Sequence, residues 1–181
     1  MIPKLLKDTF GPQKSQTMMT QQYQKWRELI FEIDPGQVGV SKEQSDRVYG
    51  VLMDIGMVDR QSRHPFALSL TAFPTGETSF QPTVGGGIIG LGGDKKMAET
   101  ARKLIKLAQT LLDQTQPAKD FSLPASGFVQ FFFFTPHGVR IYEEHLDTLQ
   151  TAGNPFGQLL VGFGIIRQFA ERIIDQQRAR K

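Results

Sequence analysis

Four consecutive phenylalanines, Phe131 to Phe134, constrain this chain more than any other feature. Side chains on a β-strand alternate between the two faces of a sheet. A run without a polar residue therefore needs cover on both faces, which points to a sheet held between other elements. The strand is predicted over Phe128 to Thr135. Thr135-Pro136-His137-Gly138 then places Pro and Gly for a type I turn, and Val139 to His145 returns as a hairpin partner. Fourteen Phe against one Trp and three Tyr agree with a phenylalanine-filled interior.

The remaining chain supplies the cover. Arg47 to Met57 is almost continuously apolar and reads as a central strand buried on both faces. Phe66 to Phe73 alternates, with Phe66, Leu68 and Leu70 on one side and Ser69 and Thr71 on the other. After the turn at Pro74 to Glu77, Thr78 to Gln81 completes a hairpin. Apolar residues at Met19, Tyr23, Trp26, Ile30 and Ile33 predict a helix over 16–33, stopped by Asp34-Pro35-Gly36. Asp94 is the predicted N-cap of a second helix. Its inner face is Met97, Ala101, Leu104, Ile105, Ala108, Leu111 and Leu112, and Lys95, Lys96, Glu99, Arg102, Lys103 and Lys106 point outward.

Gln116 to Ser126 reads as a linker. Asn154-Pro155 predicts the start of the last helix. Its inner face carries Phe156, Leu159, Leu160, Phe163, Ile166, Ala170, Ile173 and Ile174. Glycines at 157, 162 and 164 predict close approach by another element, most simply the sheet. The order α-β-β-β-α-β-β-α describes one α+β domain over 16–175, with an N-terminal arm at 1–15 and a polar tail at 176–181. Its antiparallel sheet is two hairpins plus a central strand, covered by helices.

Several function classes are set aside by composition. Without cysteine there is no disulfide, no thiolate nucleophile and no Cys-ligated metal centre. Met1 to Asp8 is too short and charged for a signal-peptide core, and no apolar run reaches membrane-spanning length, so a cytoplasmic protein without a membrane partner is expected. The net charge of +3 is small for a nucleic-acid binder. The basic residues Arg167, Arg172, Arg178, Arg180 and Lys181 are read as a solvated helix face.

Chemistry is sparse. Gly85, Gly87 and Gly90 satisfy a G-x-G-x-x-G pattern within Thr83 to Asp94. Bare backbone N–H groups ahead of a helix can cradle phosphate. A dinucleotide fingerprint also needs an acid near the end of the next strand, yet Glu99 and Asp113 lie on the helix itself. Asp94-Lys95-Lys96 is not a P-loop ending either. An anion site here would use Gly85, Gly86, Gly87, Gly90, Lys95 and Lys96. In the structural alternative the loop is a flexible or tightly packed crossing from hairpin to helix, and Ile88, Ile89 and Leu91 insert into the core. His64 and His137 are expected at the surface. Glu143 and His145 share one strand face, read as a solvated hairpin edge. Asp54 lies inside an apolar strand and needs a partner if buried, with Arg47, a backbone donor or the glycine loop as candidates. No catalytic residue, metal or cofactor is assigned.

The motif Tyr49-Gly50-Val51-Leu52-Met53-Asp54, followed by Gly56-Met57 and by Gly85 to Gly90 (GGGIIG), resembles an uncharacterised bacterial protein family without an assigned activity, over about Val48 to Ile174. The resemblance implies a bacterial single-domain protein and transfers no site residue. The element order also resembles the profilin-like and roadblock-like group in outline, although those folds divide their strands differently around the middle helix. The expectation is a non-enzymatic protein-interaction module that binds another protein or itself through a sheet edge or a terminal helix face. The alternative is a small-molecule anion- or nucleotide-binding protein or enzyme using the glycine-rich loop 85–93.

Overall fold

A computed structural model of the chain describes residues 17–180. The arm predicted over 1–15, the predicted helix start at 16 and the last residue of the tail lie outside the described residues. The chain runs α1 (Gln21–Phe31), β1 (Gly50–Val58), β2 (Pro65–Ala72), β3 (Thr78–Pro82), α2 (Lys95–Leu111), β4 (Gln116–Pro117), β5 (Phe128–Thr135), β6 (Gly138–His145), α3 (Leu146–Leu149) and α4 (Gly157–Ala179). The sheet is antiparallel throughout, in the order β3-β2-β1-β5-β6-β4. The central strand β1 thus stands between the two hairpins, and the α+β reading holds.

The phenylalanine run divides as strand geometry requires. Phe131 and Phe133 join one core with α2 and α4; Phe132 and Phe134 join another with α1. All four are at most 1% exposed. β1 is buried from Gly50 through Gly56 for the same reason. In β2 the polar set Ser69 and Thr71 is also buried, because α1 covers that face. Thr71 exchanges a 2.7 Å hydrogen bond with Ser79 of β3, which satisfies both hydroxyls.

α2 follows its pattern closely. The Asp94 carboxylate accepts from the Met97 N–H, and the seven predicted inner residues are all buried. Other boundaries move. α1 begins at Gln21 behind a Thr20 cap, so Met19 precedes the helix and is 44% exposed. The predicted linker contains β4, whose Gln116 and Pro117 pair with β6; proline is tolerated there because this is the sheet edge. α4 begins at Gly157 rather than Pro155. Asn154 caps the preceding turn by accepting from the Phe156 N–H. α4 runs to Ala179, so most of the predicted tail is helical.

The glycines of α4 correct the expectation that the sheet approaches them. A Cβ at Gly162 would lie 2.5 Å from Leu104 Cδ2 of α2, and one at Gly157 would overlap the Leu149 carbonyl of α3. Nothing lies within 4 Å of a Cβ at Gly164. The close neighbours are helices, and Gly164 has no packing role.

Candidate functional site

Antiparallel register aligns five polar residues across the α1 face. Gln81 of β3, Ser69 of β2, Asp54 of β1, Gln130 of β5 and Glu143 of β6 are successive cross-strand partners. The first four are buried and Glu143 is exposed. Gln130 Nε2 donates to Glu143 Oε2 at 2.6 Å, while Gln130 Oε1 is buried without a hydrogen-bond partner.

At the centre of this row a ring of four side chains ties α1 to the sheet. Arg27 Nη1 donates to the Tyr23 hydroxyl at 3.1 Å. Tyr23 and Ser69 hydroxyls are 2.6 Å apart, and Ser69 Oγ donates to Asp54 Oδ1 at 2.5 Å. With the Ser69 proton directed at Asp54, Tyr23 must donate to Ser69. Arg27 Nη2 closes the ring 2.8 Å from Asp54 Oδ2, as an ion pair whose N–H is not aligned on that oxygen. The Asp54 side chain is 0% exposed and that of Arg27 11%. Burial pushes the Tyr23 phenol pKa far up, and the Asp54 carboxylate adds to the rise. Burial opposes the Arg27 charge, but Asp54 and Tyr23 outweigh it and raise its pKa.

Arg47, a backbone donor and the glycine loop were the expected Asp54 partners; Arg27 and Ser69 take that place. A signal was present. Arg27 stands four residues after Tyr23 and four before Phe31, so a cation sits in line with the buried stripe of α1. Ser69 is 0% exposed and held between a phenol and a carboxylate. Such a hydroxyl has no route to a substrate, and the ring acts as an anchor.

Arg27 also reaches outward. Its Nη2 donates to the Phe121 carbonyl at 3.0 Å, and its guanidinium lies 5.1 Å from the Phe31 ring centre. Phe31 meets Phe121 edge to face at 5.0 Å. Farther along, the Pro124–Ala125 backbone packs where a Cβ on Gly56 would stand. These contacts lay the extended segment 121–126 beside α1. Between them runs a groove of about 1050 Å³, lined by Met19, Gln24, Arg27, Glu28, Phe31, Glu32, Phe121, Leu123 and Pro124 among others. Its residues come from distant stretches of chain, so no local pattern announces it. On the other side of α1, Trp26, Ile30, Phe73 and Ile89 line a smaller groove of about 420 Å³.

The glycine loop is bound into the sheet. Ile88 exchanges backbone hydrogen bonds of 2.7 and 2.9 Å with Phe80, Gly85 N–H donates to the Pro82 carbonyl, and Asp94 N–H donates to the Leu91 carbonyl. Gly85, Gly86 and Gly90 have φ of 93°, 78° and 80°, where a side chain is strained. A Cβ at Gly87 would overlap the Gln81 amide, so the loop packs on the end of the polar row. Leu91 is buried and Ile88 partly so, but Ile89 is 64% exposed and does not insert into the core. Lys95 and Lys96 are exposed at the start of α2, while Gly86 lies beside Arg178 of α4.

His64 and His137 are exposed. His145 caps α3 by accepting from the Asp147 N–H at 3.3 Å. Among the described residues no three potential ligands gather to hold a metal, and no helix is long and apolar enough to cross a membrane. Comparison of the chain with protein families, with curated proteins and with solved structures gave no match in any of the three.

Proposed function

We propose that this protein is a non-enzymatic protein-interaction module whose binding surface is the α1 face. The observation that carries the reading is the groove of about 1050 Å³ between α1 and segment 121–126. It is mostly apolar, with a few polar groups at its rim, as binding sites are. Phe121, 44% exposed, stands in its wall as an aromatic anchor of the kind that dominates interface energetics. Beneath it, Arg27 and its buried partner hold the wall in place, so the site is preformed.

The test places a photo-crosslinking residue at Phe121 and, as a control, at exposed Arg172 of α4. The expected result is one defined protein adduct from position 121, identified by mass and rebinding when both proteins are pure. Adducts of equal pattern from both positions would sink the reading. The competing anion-binding reading predicts instead a thermal-shift response to a nucleotide or sugar phosphate, abolished by Lys95→Ala with Lys96→Ala.

A further inference from the structure

We propose that the groove beside α1 receives an amphipathic, basic helix from a partner protein. This assignment rests on the interaction reading above and adds the partner's chemistry. On the opposite face two helices, α2 and α4, pack side by side through Leu104 and Gly162. On this face, among the described residues, α1 is the one α-helix. The trough follows α1 from Gln24 to Glu32, about 12 Å at 1.5 Å per residue. That is two helical turns, and a helix laid there would meet α1 at the ordinary spacing of about 8–10 Å. Its apolar stripe would rest on Phe31, Phe121 and Leu123.

An extended segment is a poorer fit. The groove's three strand-borne ladder residues, Pro65, Phe66 and Val139, are already paired, Pro65 with Val58, Phe66 with Met57, and Val139 with Phe134 and the Ala118 N–H. A helix satisfies its own backbone and needs no ladder.

Charge selects the kind of helix. Among the described charged side chains lining the groove, Arg27 is paired with Asp54, which leaves Glu28 and Glu32. Both are exposed and stand one turn apart on the rim. The chain as a whole carries +3, so the rim is acidic against a basic background. Lys or Arg at positions i and i+4 of an incoming helix repeats the same rise, about 6 Å, and meets both carboxylates.

The experiment uses the full chain and two labelled synthetic peptides, read by fluorescence anisotropy at low salt. Both have a Leu stripe at i, i+3, i+4 and i+7; one carries Lys at i and i+4 of the flanking face and the other carries Glu there. The basic peptide is expected to bind about tenfold more tightly, the scale of two rim ion pairs. Glu28→Gln with Glu32→Gln should bring the two affinities within about threefold, and Phe121→Asp should abolish binding while the thermal melt stays cooperative. Equal affinities, both lost on Phe121→Asp, would overturn the basic-helix assignment and leave the interaction reading standing. Failure of both peptides, together with no adduct from position 121, would remove both. Binding indifferent to all three substitutions places the peptide elsewhere and overturns the proposal. So does a crosslink from position 121 to residues 1–16 of the same chain, or to a second copy.

Discussion

The two faces of the sheet are built to different specifications. Among the described residues, twenty-five buried side chains form the core under α2 and α4, and nine form the core under α1. Six strands spaced about 4.8 Å apart are roughly 24 Å wide, and a helix is about 10 Å across. Two helices therefore cover one face, and a single helix leaves grooves on both its flanks. Among the described residues the thicker face is held by apolar packing without a buried ion pair; the thinner one is anchored by Arg27, Tyr23, Ser69 and Asp54. The difference teaches that a face covered by one helix needs a directional anchor. Nine buried residues alone would specify the position of α1 less well than a ring of three hydrogen bonds closed by an ion pair does.

Four measurements would break or sharpen this contrast. The largest effects are expected inside the phenylalanine run, whose members serve opposite faces. Phe133→Ala and Phe132→Ala should each lower stability by about 3–5 kcal/mol in urea unfolding. Phe133→Ala should speed hydrogen exchange across the whole sheet, while Phe132→Ala should act first on α1. A loss below about 1 kcal/mol at Phe132 would mean that the α1 face is not a true core.

Arg27→Met should rank close behind. It strands the Asp54 carboxylate at a fully buried site, for which about 3–5 kcal/mol is the usual penalty. Adding Asp54→Leu should recover most of that loss, because a buried pair contributes little net stability over apolar packing. If Arg27→Met is nearly silent, water reaches Asp54 through the groove and the ring is no anchor.

Alkaline pH tests the same ring more gently. The Tyr23 pKa is raised in the fold, so the folded state keeps a proton that the unfolded state loses above about pH 10. The stabilisation is fully present below that pH and falls as pH rises toward the folded pKa. Burial raises Tyr49 and Tyr142 as well, so all three contribute to the fall. Tyr23→Phe should flatten the slope between pH 10 and 12 but not remove it. An unchanged slope would place Tyr23 in contact with solvent.

The smallest contrast lies within α4. Gly164→Ala meets nothing and should raise stability by roughly 0.5–1 kcal/mol, the helix penalty of glycine. Gly162→Ala must displace Leu104 and should lower stability by about 1 kcal/mol net. Equal effects at the two positions would show that α2 and α4 are not in close contact.

Much of this architecture was legible in one dimension. Phe131 to Phe134 required two covered faces, and the spacing of Met97 to Leu112 identified the inner side of α2 before any contact was known. Those inferences work because strand and helix periods are local properties of the backbone. Residue types marked Asp54 as an acid that would need a partner if buried. They could not name Arg27, which lies twenty-seven positions earlier in the chain, on another element. Boundaries slipped where local signals competed, as at Asn154-Pro155, where the cap serves a turn one step ahead of the helix. Gly162 announced a close approach without saying by what.

What the sequence determined by itself is the class of fold, the pairing of the hairpins and the identity of most core residues, since each follows from alternation over a few residues. The tertiary structure alone decided that Gln81, Ser69, Asp54, Gln130 and Glu143 form one row, that Arg27 completes a ring, and that α1 leaves a groove beside it. Register and docking are sums over contacts between residues far apart in the chain, and no window of sequence contains them.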